Sequence, residues 1–313
     1  MADIIVTEFL DPGPIESLKQ QYSVHVDTGL WSKRAELEAL AADAICLIVR
    51  NRTRVDADLL DRSPKLKVIG RLGVGLDNID VAACKARGIT VCPALGANAV
   101  SVAEYVIAMT LIHLRGPAYF CTARIAAGEW PREEMSRGHE AAGCRFGIVG
   151  YGSIGQIVGV RARGLGMHVV AHDDYLPAED PAWEHAERAS LDELLDTCDI
   201  VTLHCPLTPE TRGLIGAREL ARMRKGAILI NTARGGIVDE QALADALRSG
   251  HLGGAAVDVF TAEPIDHATA AVFQGVPNLI LTPHVAGVTL ESNARISTVT
   301  VDNVLRELKA AGL

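Results

Sequence analysis

The sequence predicts an α/β protein of two domains, each built on a doubly wound parallel sheet. Its 313 residues correspond to two domains on a prior of about 150 residues each. Hydrophobic residues make up 49% of the chain, which is enough for a core of ordinary size. Short apolar runs alternate with stretches whose apolar residues recur every three or four positions. Strands that alternate with helices in this way form parallel sheets with crossover connections.

The first hundred residues predict one small α/β unit of about five strands. Apolar runs predict strands at Ile4–Val6, Val24–Val26, Ile45–Val49, Leu66–Ile69 and Ile89–Cys92. Helical spacing predicts helices at Ile15–Gln20, Lys33–Ala42 and Val81–Arg87.

A long apolar helix is predicted next, from Ala99 to about Leu114, followed by a polar loop at Gly128–Gly143. The alternation then restarts with greater regularity and predicts a second parallel sheet. Its strands are Phe146–Val149, Val169–His172, Ile200–His204, Ile228–Asn231, Ala255–Val259 and Leu279–Leu281. Its helices include Leu191–Thr197 and Gln241–Ser249, and one amphipathic helix, Glu291–Ala311, comes last.

Composition excludes several classes of partner. The chain carries 30 Lys and Arg against 39 Asp and Glu, a net charge of −9, and only 4% aromatic residues. We therefore expect no nucleic-acid partner, since such surfaces are basic and stack bases on aromatic rings. No apolar stretch reaches the roughly 18 residues that cross a bilayer, so no membrane partner is expected. Seven cysteines without a Cys-x-x-Cys pair indicate reduced thiols in a cytoplasmic protein, and no spacing predicts a metal site.

A glycine-rich turn predicts a dinucleotide site in the second half of the chain. Gly150, Gly152 and Gly155 form G-x-G-x-x-G between a predicted strand and a predicted helix. The glycines allow a tight turn, close approach of a pyrophosphate and close packing of helix on strand. Asp173 ends the next strand, 18 residues after Gly155, where a carboxylate accepts both ribose hydroxyls and repels a 2′-phosphate. No Lys or Arg follows within several residues to host that phosphate, so the predicted cofactor is NAD.

Three polar residues of the second half follow predicted strands and suit hydride transfer. They are Arg234, Glu263 and His284, separated by 29 and 21 residues. Parallel sheets place ligands at the carboxyl ends of their strands, so we expect the three side chains to converge. Imidazole exchanges a proton with a hydroxyl or carbonyl oxygen, a carboxylate orients the ring, and a guanidinium grips a carboxylate at two points. This combination predicts a 2-hydroxy or 2-keto acid substrate.

The chain resembles the D-isomer-specific 2-hydroxyacid dehydrogenases over nearly its whole length. The matching segments are KVIGRLGVGLDNIDV (Lys67–Val81), SVAEYVIAMTL (Ser101–Leu111), GIVGYGSIGQ (Gly147–Gln156), LHCPLTPETRGLI (Leu203–Ile215), NTARGGIVDE (Asn231–Glu240), AVDVFTAEP (Ala256–Pro264) and LTPHVAG (Leu281–Gly287). The resemblance implies a flavodoxin-like substrate domain with an inserted Rossmann NAD-binding domain. It implies a substrate domain of residues 1–98 and 287–313, an NAD domain of residues 99–286, and a homodimer.

The resemblance also implies roles for individual residues. Arg234 binds and polarises the substrate, and Glu263 is the partner of His284, which acts as acid and base. Asp258 reaches the carboxamide of NAD. The NAD site as a whole is expected to comprise Gly150, Gly152, Ser153, Ile154, Gly155, Asp173, His204, Pro206, Thr211, Thr232, Ala233, Asp258 and Gly287.

The substrate is expected to bind residues of the first half. By resemblance, backbone amides around Val74 and Gly75 hold its carboxylate, and Arg50, Arg71 and Asn98 assist. The phosphoglycerate dehydrogenases are the nearest branch. Because the sequence ends after the final helix, we expect neither the regulatory C-terminal domain of many such enzymes nor serine feedback through it.

An Arg-rich turn departs from the pattern of that branch. Arg50, Arg52 and Arg54 place three guanidinium groups at alternating positions, which share one face if the segment is extended. The turn predicts a substrate with a second anion, phosphate or sulfonate, as in 3-phosphoglycerate or 3-sulfolactate, and also resembles the bacterial sulfolactate dehydrogenases. In the alternative interpretation this is a solvated basic turn paired with Asp56 or Asp58.

Two other functions stay open at this point. Hydroxypyruvate or glyoxylate reduction is the same chemistry on a substrate without the distal anion. A scaffold that senses NAD(H), of the transcriptional corepressor type, belongs to a different class and retains the same architecture. Steady-state turnover of a 2-hydroxy acid, and its loss in His284→Ala, distinguishes an enzyme from a scaffold.

Overall fold

The structure is a computed structural model that describes residues 2–313, and the chain forms two compact units. Unit 1 comprises Met1–Asn98 and Val288–Leu313, and unit 2 comprises Ala99–Gly287. The boundary differs from the predicted domain limits by one residue, Gly287. Unit 2 is therefore inserted in the sequence of unit 1.

Both units alternate strands with helices. The strands are β1 Ile4–Val6, β2 Val24–Val26, β3 Cys46–Val49, β4 Val68–Arg71, β5 Thr90–Pro93, β6 Arg145–Val149, β7 His168–His172, β8 Glu187–Arg188, β9 Ile200–Leu203, β10 Ile228–Asn231, β11 Gly254–Val257 and β12 Leu279–Leu281. The α-helices are α1 Pro12–Lys19, α2 Arg34–Ala41, α3 Ala57–Asp61, α4 Val81–Ala86, α5 Ala99–Arg115, α6 Thr122–Ala126, α7 Arg132–Met135, α8 Ser153–Gly164, α9 Leu191–Thr197, α10 Ala217–Arg222, α11 Glu240–Arg248, α12 His267–Ala270 and α13 Leu290–Ala310.

The sheet of unit 1 has five parallel strands in the order β2-β1-β3-β4-β5. This is the flavodoxin-like order, and it confirms the predicted fold of the first half. Side chains alternate across the sheet, so Ile4 and Ile48 lie in one buried cluster and Ile5 and Leu47 in another. Helix α13 packs on this sheet at Gly70, where a Cβ would lie 2.6 Å from a methyl carbon of Val304.

The sheet of unit 2 has seven parallel strands in the order β12-β11-β10-β9-β6-β7-β8. The six strands from β8 to β11 have the Rossmann order, and β12 extends the sheet beyond β11, which confirms the predicted fold of the second half. The chain order reverses between β6 and β9. Such a switch point is where parallel sheets of this kind bind their ligands.

Several elements differ from the predictions, among them α6, Thr122–Ala126, for which the sequence analysis predicts no element. Helix α3 was not predicted because its five residues are too few to show a period; Asp56 caps it by accepting from Leu59 N at 3.0 Å. Strand β8 has two exposed polar residues and gives no apolar signal. Helix α7 is one turn within the predicted loop Gly128–Gly143, so the loop prediction is wrong at that point.

One helical stretch contradicts the expectation that no segment of the chain is long and apolar enough to span a membrane. Residues Ala99–Ala126 are long and apolar enough, by length and composition only, to cross a membrane, with a mean hydropathy of 1.2. The expectation that no apolar stretch reaches this length is therefore wrong. Val102, Ala103 and Val106 of α5 lie in the buried core of unit 2, and core helices of globular domains pass the same test.

Candidate active site

The glycine turn of unit 2 joins β6 to α8 at the switch point of the sheet. Gly150 has a φ of 91°, and a Cβ added to it would lie 2.7 Å from the backbone N of Cys205. A Cβ on Gly155 would lie 2.3 Å from the carbonyl oxygen of Gly150. Both positions therefore require glycine on steric grounds, one for the turn and one for the packing of α8.

The space over the start of α8 is open. A Cβ on Gly152 would meet no protein atom within 4 Å. The first N–H groups of α8, including those of Ser153 and Ile154, have no intrahelical acceptor, and no side chain caps the start of the helix. Free N–H groups at the positive end of a helix dipole, beside open space, fit the pyrophosphate of a dinucleotide.

The carboxylate of Asp173 follows β7 and already accepts three backbone N–H groups. Its Oδ2 accepts from Tyr151 N at 2.7 Å, and its Oδ1 accepts from Tyr175 N at 2.8 Å and Leu176 N at 2.9 Å. A carboxylate has about four acceptor positions, so Oδ2 retains room for one further donor. Asp173 thus holds the turn in place, and its contact with a ribose stays a prediction.

His204 and the loop after it border the same switch point. The Nε2 of His204 lies 3.0 Å from Thr202 Oγ1, and burial lowers the pKa of His204 to about 3. The ring is therefore neutral over the ordinary range of pH. Thr211 Oγ1 donates to the carbonyl oxygen of Pro206 at 2.6 Å and so closes the loop that contains both residues.

The loop after β10 carries an unsatisfied hydroxyl and an anchoring amide. The Oγ1 of Thr232 is buried and has no hydrogen-bond partner in the described part of the chain, so a ligand there would satisfy it. Ala233 N donates to Asn231 Oδ1 at 3.1 Å, and Asn231 Nδ2 donates to the carbonyl oxygen of Arg234 at 3.2 Å. The sequence did not single out the Asn231 side chain, although a buried amide at a strand end was the available signal.

Glu263 and His284 form the predicted pair. Nδ1 of His284 lies 2.7 Å from Oε2 of Glu263, and Oε1 of Glu263 accepts from Phe260 N at 2.9 Å. Burial raises the pKa of Glu263, but hydrogen bonds from His284 and Phe260 and the charges of His284 and Arg234 outweigh it and hold the pKa below its usual value. The carboxylate therefore stays ionised beside the imidazole.

Arg234 lies close to this pair because its loop packs on the loop of Glu263. A Cβ on Gly235 would lie 1.8 Å from the carbonyl oxygen of Phe260, so only glycine allows the two loops to touch. The charge of Arg234 also contributes to lowering the pKa of Glu263. Unit 2 thus brings together the three residues predicted from the sequence, at the carboxyl ends of β10, β11 and β12.

A buried carboxylate anchors the loop that carries His284. Asp258 is 1% exposed, and it accepts from Thr282 Oγ1 at 2.5 Å, Val285 N at 2.8 Å and Ala286 N at 2.8 Å. His284 between these donors has a φ of 55°, in the left-handed region. Asp258 therefore holds an unfavourable backbone conformation in place, and its contact with the carboxamide of NAD stays a prediction.

Two residues behind Asp258 were not predicted. Tyr105 of α5 lies with its hydroxyl 2.7 Å from Thr282 Oγ1. The single hydroxyl proton of Thr282 goes to Asp258, so Tyr105 is the donor to Thr282. Burial and the nearby charge of Asp258 raise the pKa of Tyr105, which keeps the phenol protonated for this bond. Tyr105 and Thr282 are 177 residues apart, and nothing in the sequence pairs them.

In unit 1, the segment after β4 presents unpaired backbone donors. Within residues 2–313, no acceptor takes the N–H of Val74 or Gly75. Arg71 donates through Nη1 to the carbonyl oxygen of Leu72 at 2.6 Å. Gly73 has a φ of 142°, and a Cβ there would collide with the Arg71 guanidinium at 1.7 Å. The Arg71 side chain could move away, so it is the positive φ of Gly73 that favours glycine at this position.

The Oδ1 of Asn98 in unit 1 is also buried without a hydrogen-bond partner in the part of the chain described. Gly287, in contrast, closes unit 2, directly after the Ala286 N–H that Asp258 holds. Groups of three or more His, Cys, Asp or Glu side chains placed to hold a metal ion are absent from the described residues.

The Arg-rich turn of unit 1 is bent, and the extended geometry assumed for it is wrong. β3 ends at Val49, and residues 51–53 form a bend. The Nη2 of Arg50 donates to Asn293 Oδ1 at 2.9 Å, and the Arg52 guanidinium lies 4.8 Å from the ring centre of Trp31. The two side chains therefore contact neutral groups.

The predicted alternative, pairing of the turn with nearby aspartates, does not hold in the structure. Asp56 binds the guanidinium of Arg34 at 2.6 Å instead. Across residues 2–313, no carboxylate forms an ion pair with the guanidinium of Arg50, Arg52 or Arg54. The turn is a concentration of positive charge that the protein does not neutralise by ion pairing.

Comparisons with known proteins agree with this geometry. The family model for the D-isomer specific 2-hydroxyacid dehydrogenase NAD binding domain matches residues 107–286. The (S)-sulfolactate dehydrogenase of Chromohalobacter salexigens is 53% identical over 98% of this chain and 99% of its own length. The D-3-phosphoglycerate dehydrogenase of Methanocaldococcus jannaschii is 39% identical over 99% of this chain, which spans 58% of that relative.

Solved structures of 2-hydroxyacid dehydrogenases are also similar to this chain. The D-lactate dehydrogenase from Aquifex aeolicus, complexed with NAD and lactic acid, superposes with a TM-score of 0.87 at 30% identity. The match covers 98% of this chain and 96% of that one. These similarities confirm the predicted family, the predicted reaction class and NAD as the cofactor. The chain therefore belongs to the D-isomer-specific 2-hydroxyacid dehydrogenases, the NAD-dependent oxidoreductases of 2-hydroxy acids.

Proposed function

We propose that this enzyme acts on a 2-hydroxy acid with a second anion at C3, 3-sulfolactate or 3-phosphoglycerate. The observation that carries the proposal is the turn of Arg50, Arg52 and Arg54, whose guanidinium groups have no carboxylate partner in the described residues. Unneutralised guanidinium groups in a protein of net charge −9 favour a sulfonate or phosphate ligand. The relative that shares 53% identity is named an (S)-sulfolactate dehydrogenase, and this name supports 3-sulfolactate as the first candidate substrate.

The proposed roles in unit 1 follow from its donors. The N–H groups of Val74 and Gly75 and the Arg71 guanidinium bind the C1 carboxylate, and Asn98 assists through the Nδ2 donor of its side-chain amide. Arg50 and Arg52 bind the second anion. Carboxylate binding at backbone N–H groups needs the close approach that the glycines at 73 and 75 allow.

The proposed chemistry belongs to unit 2. NAD, when bound, accepts or supplies the hydride at C2. His284 takes the proton of the C2 hydroxyl during oxidation and returns it during reduction. Glu263 fixes the ring through Nδ1 and stabilises the imidazolium that forms, so Nε2 faces the substrate. Arg234 holds the substrate and polarises the C2 oxygen.

The residues proposed to hold NAD are those of the predicted set on unit 2. The N–H groups at the start of α8 meet the pyrophosphate, Asp173 accepts from a ribose hydroxyl, and the Thr232 hydroxyl gains a partner. Ser153, Ile154, His204, Pro206, Thr211, Ala233, Asp258 and Gly287 line the rest of the site.

A substrate panel tests the proposed specificity. Both enantiomers of 3-sulfolactate, with 3-phosphoglycerate, glycerate and lactate, are assayed with NAD, and the corresponding keto acids with NADH. We expect the highest kcat/KM for a substrate with the second anion. Oxidation of glycerate or lactate, with neither 3-sulfolactate nor 3-phosphoglycerate oxidised, contradicts the proposal. Hydroxypyruvate reduction remains the second candidate, because a hydroxypyruvate reductase of Thermotoga maritima is 37% identical over 88% of this chain.

We also propose that the chain works in the cytoplasm as a homodimer. The segment after α5 exposes large aromatic side chains, with Tyr119 at 58%, Phe120 at 66% and Trp130 at 79%. Large apolar side chains exposed in one segment of unit 2 favour its burial against a second copy. Seven free cysteines suit a reducing compartment. Light scattering of the chain and of the Phe120→Ala/Trp130→Ala variant tests the dimer, which we expect in the first and not in the second.

A further inference from the structure

Glu8 is a buried carboxylate that faces the Arg-rich turn of unit 1. It follows β1 by two residues and is 5% exposed. Its Oε1 accepts from Arg50 N at 2.9 Å, from Thr53 N at 3.0 Å and from Thr53 Oγ1 at 2.9 Å. Its Oε2 accepts from Arg52 N at 3.2 Å. One carboxylate thus takes four donors from a turn of four residues.

Two carbonyl oxygens of the same turn accept hydrogen bonds from Asn78, which lies outside the turn. Nδ2 of Asn78 donates to the carbonyl oxygen of Arg50 at 3.1 Å and to that of Thr53 at 2.7 Å. Thr53 is 1% exposed, and its Oγ1 also lies 2.7 Å from Thr7 Oγ1. The backbone between residues 50 and 53 is therefore fixed through both its donors and its acceptors.

This arrangement decides how the turn meets an anion. Successive backbone N–H groups that converge on one point form a natural anion site, and here Glu8 occupies it. Those N–H groups are therefore not available to a substrate, and the guanidinium groups remain as the donors. Because backbone N–H groups and a hydroxyl satisfy Glu8, its charge does not draw the guanidinium of Arg50 or Arg52 into an ion pair.

We propose that Glu8 is a positioning residue for substrate specificity. It fixes the turn so that Arg50 and Arg52 are presented to the second anion of the substrate, and it touches neither substrate nor cofactor. This inference rests on the proposed function, since it assigns the distal anion to these two side chains. Asn78 supports the same turn but carries no charge.

Two substitutions at Glu8 test the proposal. Glu8→Ala removes all four contacts. Arg52 N donates to both oxygens of Glu8, to Oε2 at 3.2 Å and to Oε1 at 3.3 Å. Glu8→Gln, with its oxygen in place of Oε1, keeps an acceptor for Arg50 N, Thr53 and Arg52 N, but it turns an NH2 group toward Arg52 N in place of Oε2, so it weakens mainly the hold on Arg52. Glu36→Gln, an exposed carboxylate on α2 of the same unit, is the matched control. For each protein, kcat and KM are measured with 3-sulfolactate, 3-phosphoglycerate and lactate, and exchange of the Arg50, Arg52 and Thr53 amides is followed by NMR.

The expected result is selective. Glu8→Ala lowers kcat/KM for the preferred anion-bearing substrate about tenfold more than for lactate, chiefly through KM, and speeds exchange of the three amides. Glu8→Gln has a smaller effect of the same kind, and it carries the test where Glu8→Ala fails to fold. Glu36→Gln matches wild type.

Different results would overturn the role of Glu8 and the proposed function. An equal fall for both kinds of substrate means that Glu8 only supports the fold, and unchanged kinetics mean that it has no positioning role; either overturns the inference. Unchanged amide exchange overturns it independently of any substrate. If wild type has equal kcat/KM for lactate and for both anion-bearing acids, the proposed function fails and the specificity role with it, while amide exchange still decides whether Glu8 fixes the turn.

Discussion

The Glu263–His284 contact is the smallest unit on which the chemistry depends. Glu263 holds one oxygen toward Phe260 N and the other toward the imidazole. The first contact orients the carboxyl group, and the second places a negative charge where the imidazolium forms. A substitution that keeps the first and removes the charge separates the two effects.

For Glu263→Gln we expect kcat/KM for hydroxy acid oxidation to fall about 10- to 100-fold, as for the loss of a charge-assisted hydrogen bond of about 1.5–3 kcal/mol. The amide can keep the contact with Phe260 N, but it removes the negative charge beside the imidazolium that forms during oxidation. Steady-state kinetics with NAD and the preferred hydroxy acid measure the loss. Glu179→Gln, exposed on the same unit, serves as control. An unchanged kcat/KM would show that the reaction does not need the charge of Glu263.

His204 makes stability depend on pH. Its pKa is lowered to about 3 in the folded chain, against about 6.5 in the unfolded one. Between these values the unfolded state binds a proton that the native state does not, so stability is lost as pH falls through this window. The slope from this residue is at most about 1.4 kcal/mol per pH unit.

We therefore expect His204→Asn to lose less stability than wild type between about pH 7 and about pH 5. Urea denaturation at the two pH values measures the difference. His168→Asn, at the exposed start of β7, is the control and should follow wild type. Equal losses in all three proteins would show that His204 titrates normally in the native state.

At the scale of elements, the contact between the loops of Arg234 and Glu263 depends on one glycine. A Cβ at 235 would sit 1.8 Å from the carbonyl oxygen of Phe260, and the backbone there has no flexible side chain that could yield. The two loops would have to separate, which moves Arg234 away from Glu263 and His284.

For Gly235→Ala we expect a loss of about 100-fold or more in kcat/KM, the effect of a displacement near 1 Å at reacting groups. Gly164→Ala is the matched control, because a Cβ at 164 meets nothing within 4 Å and lies on a helix. The control should keep wild-type activity and gain slightly in stability. Steady-state kinetics measure the activity of both variants, and thermal melts measure their stability. Full activity in Gly235→Ala would mean that catalysis does not depend on the contact between the two loops.

The elements themselves were largely predictable. Buried parallel strands such as β3 and β10 are continuous apolar runs, and the sequence predicts them to within about two residues. Strand ends then predict where Arg234, Glu263 and His284 lie. The supporting roles of Tyr105 and Glu8 were not predictable, because both residues act through contacts with residues remote in sequence. The bend of the Arg-rich turn was not predictable either, because contacts with Glu8 and Asn78 set its shape and no local sequence pattern does.

At the scale of the whole molecule, the chain has two sheets with separate cores. A ligand stabilises the state that binds it, by about 2.7 kcal/mol at a concentration one hundred times its Kd. The predicted NAD residues all lie on unit 2, so we expect NAD to protect that unit more than the other.

Hydrogen exchange with and without NAD tests this expectation. Amides of β6 and β9 should gain more protection than amides of β1 and β3. The control is the Gly152→Asp variant, whose carboxylate would stand in the open space over α8 and oppose a pyrophosphate. Equal gains in both sheets would show that the units open as one cooperative body.

Helix α13 has a consequence for how the protein is made. Its residues Ile296, Val301, Val304 and Leu308 belong to a buried cluster that also holds Ile4 and Ile48. During translation the ribosome finishes all of unit 2 before it begins α13. The first five strands must therefore wait, with one apolar face covered by α1 but not by α13, while the whole of unit 2 is synthesised. Nascent chains arrested before Leu290 should accordingly recruit chaperones through unit 1.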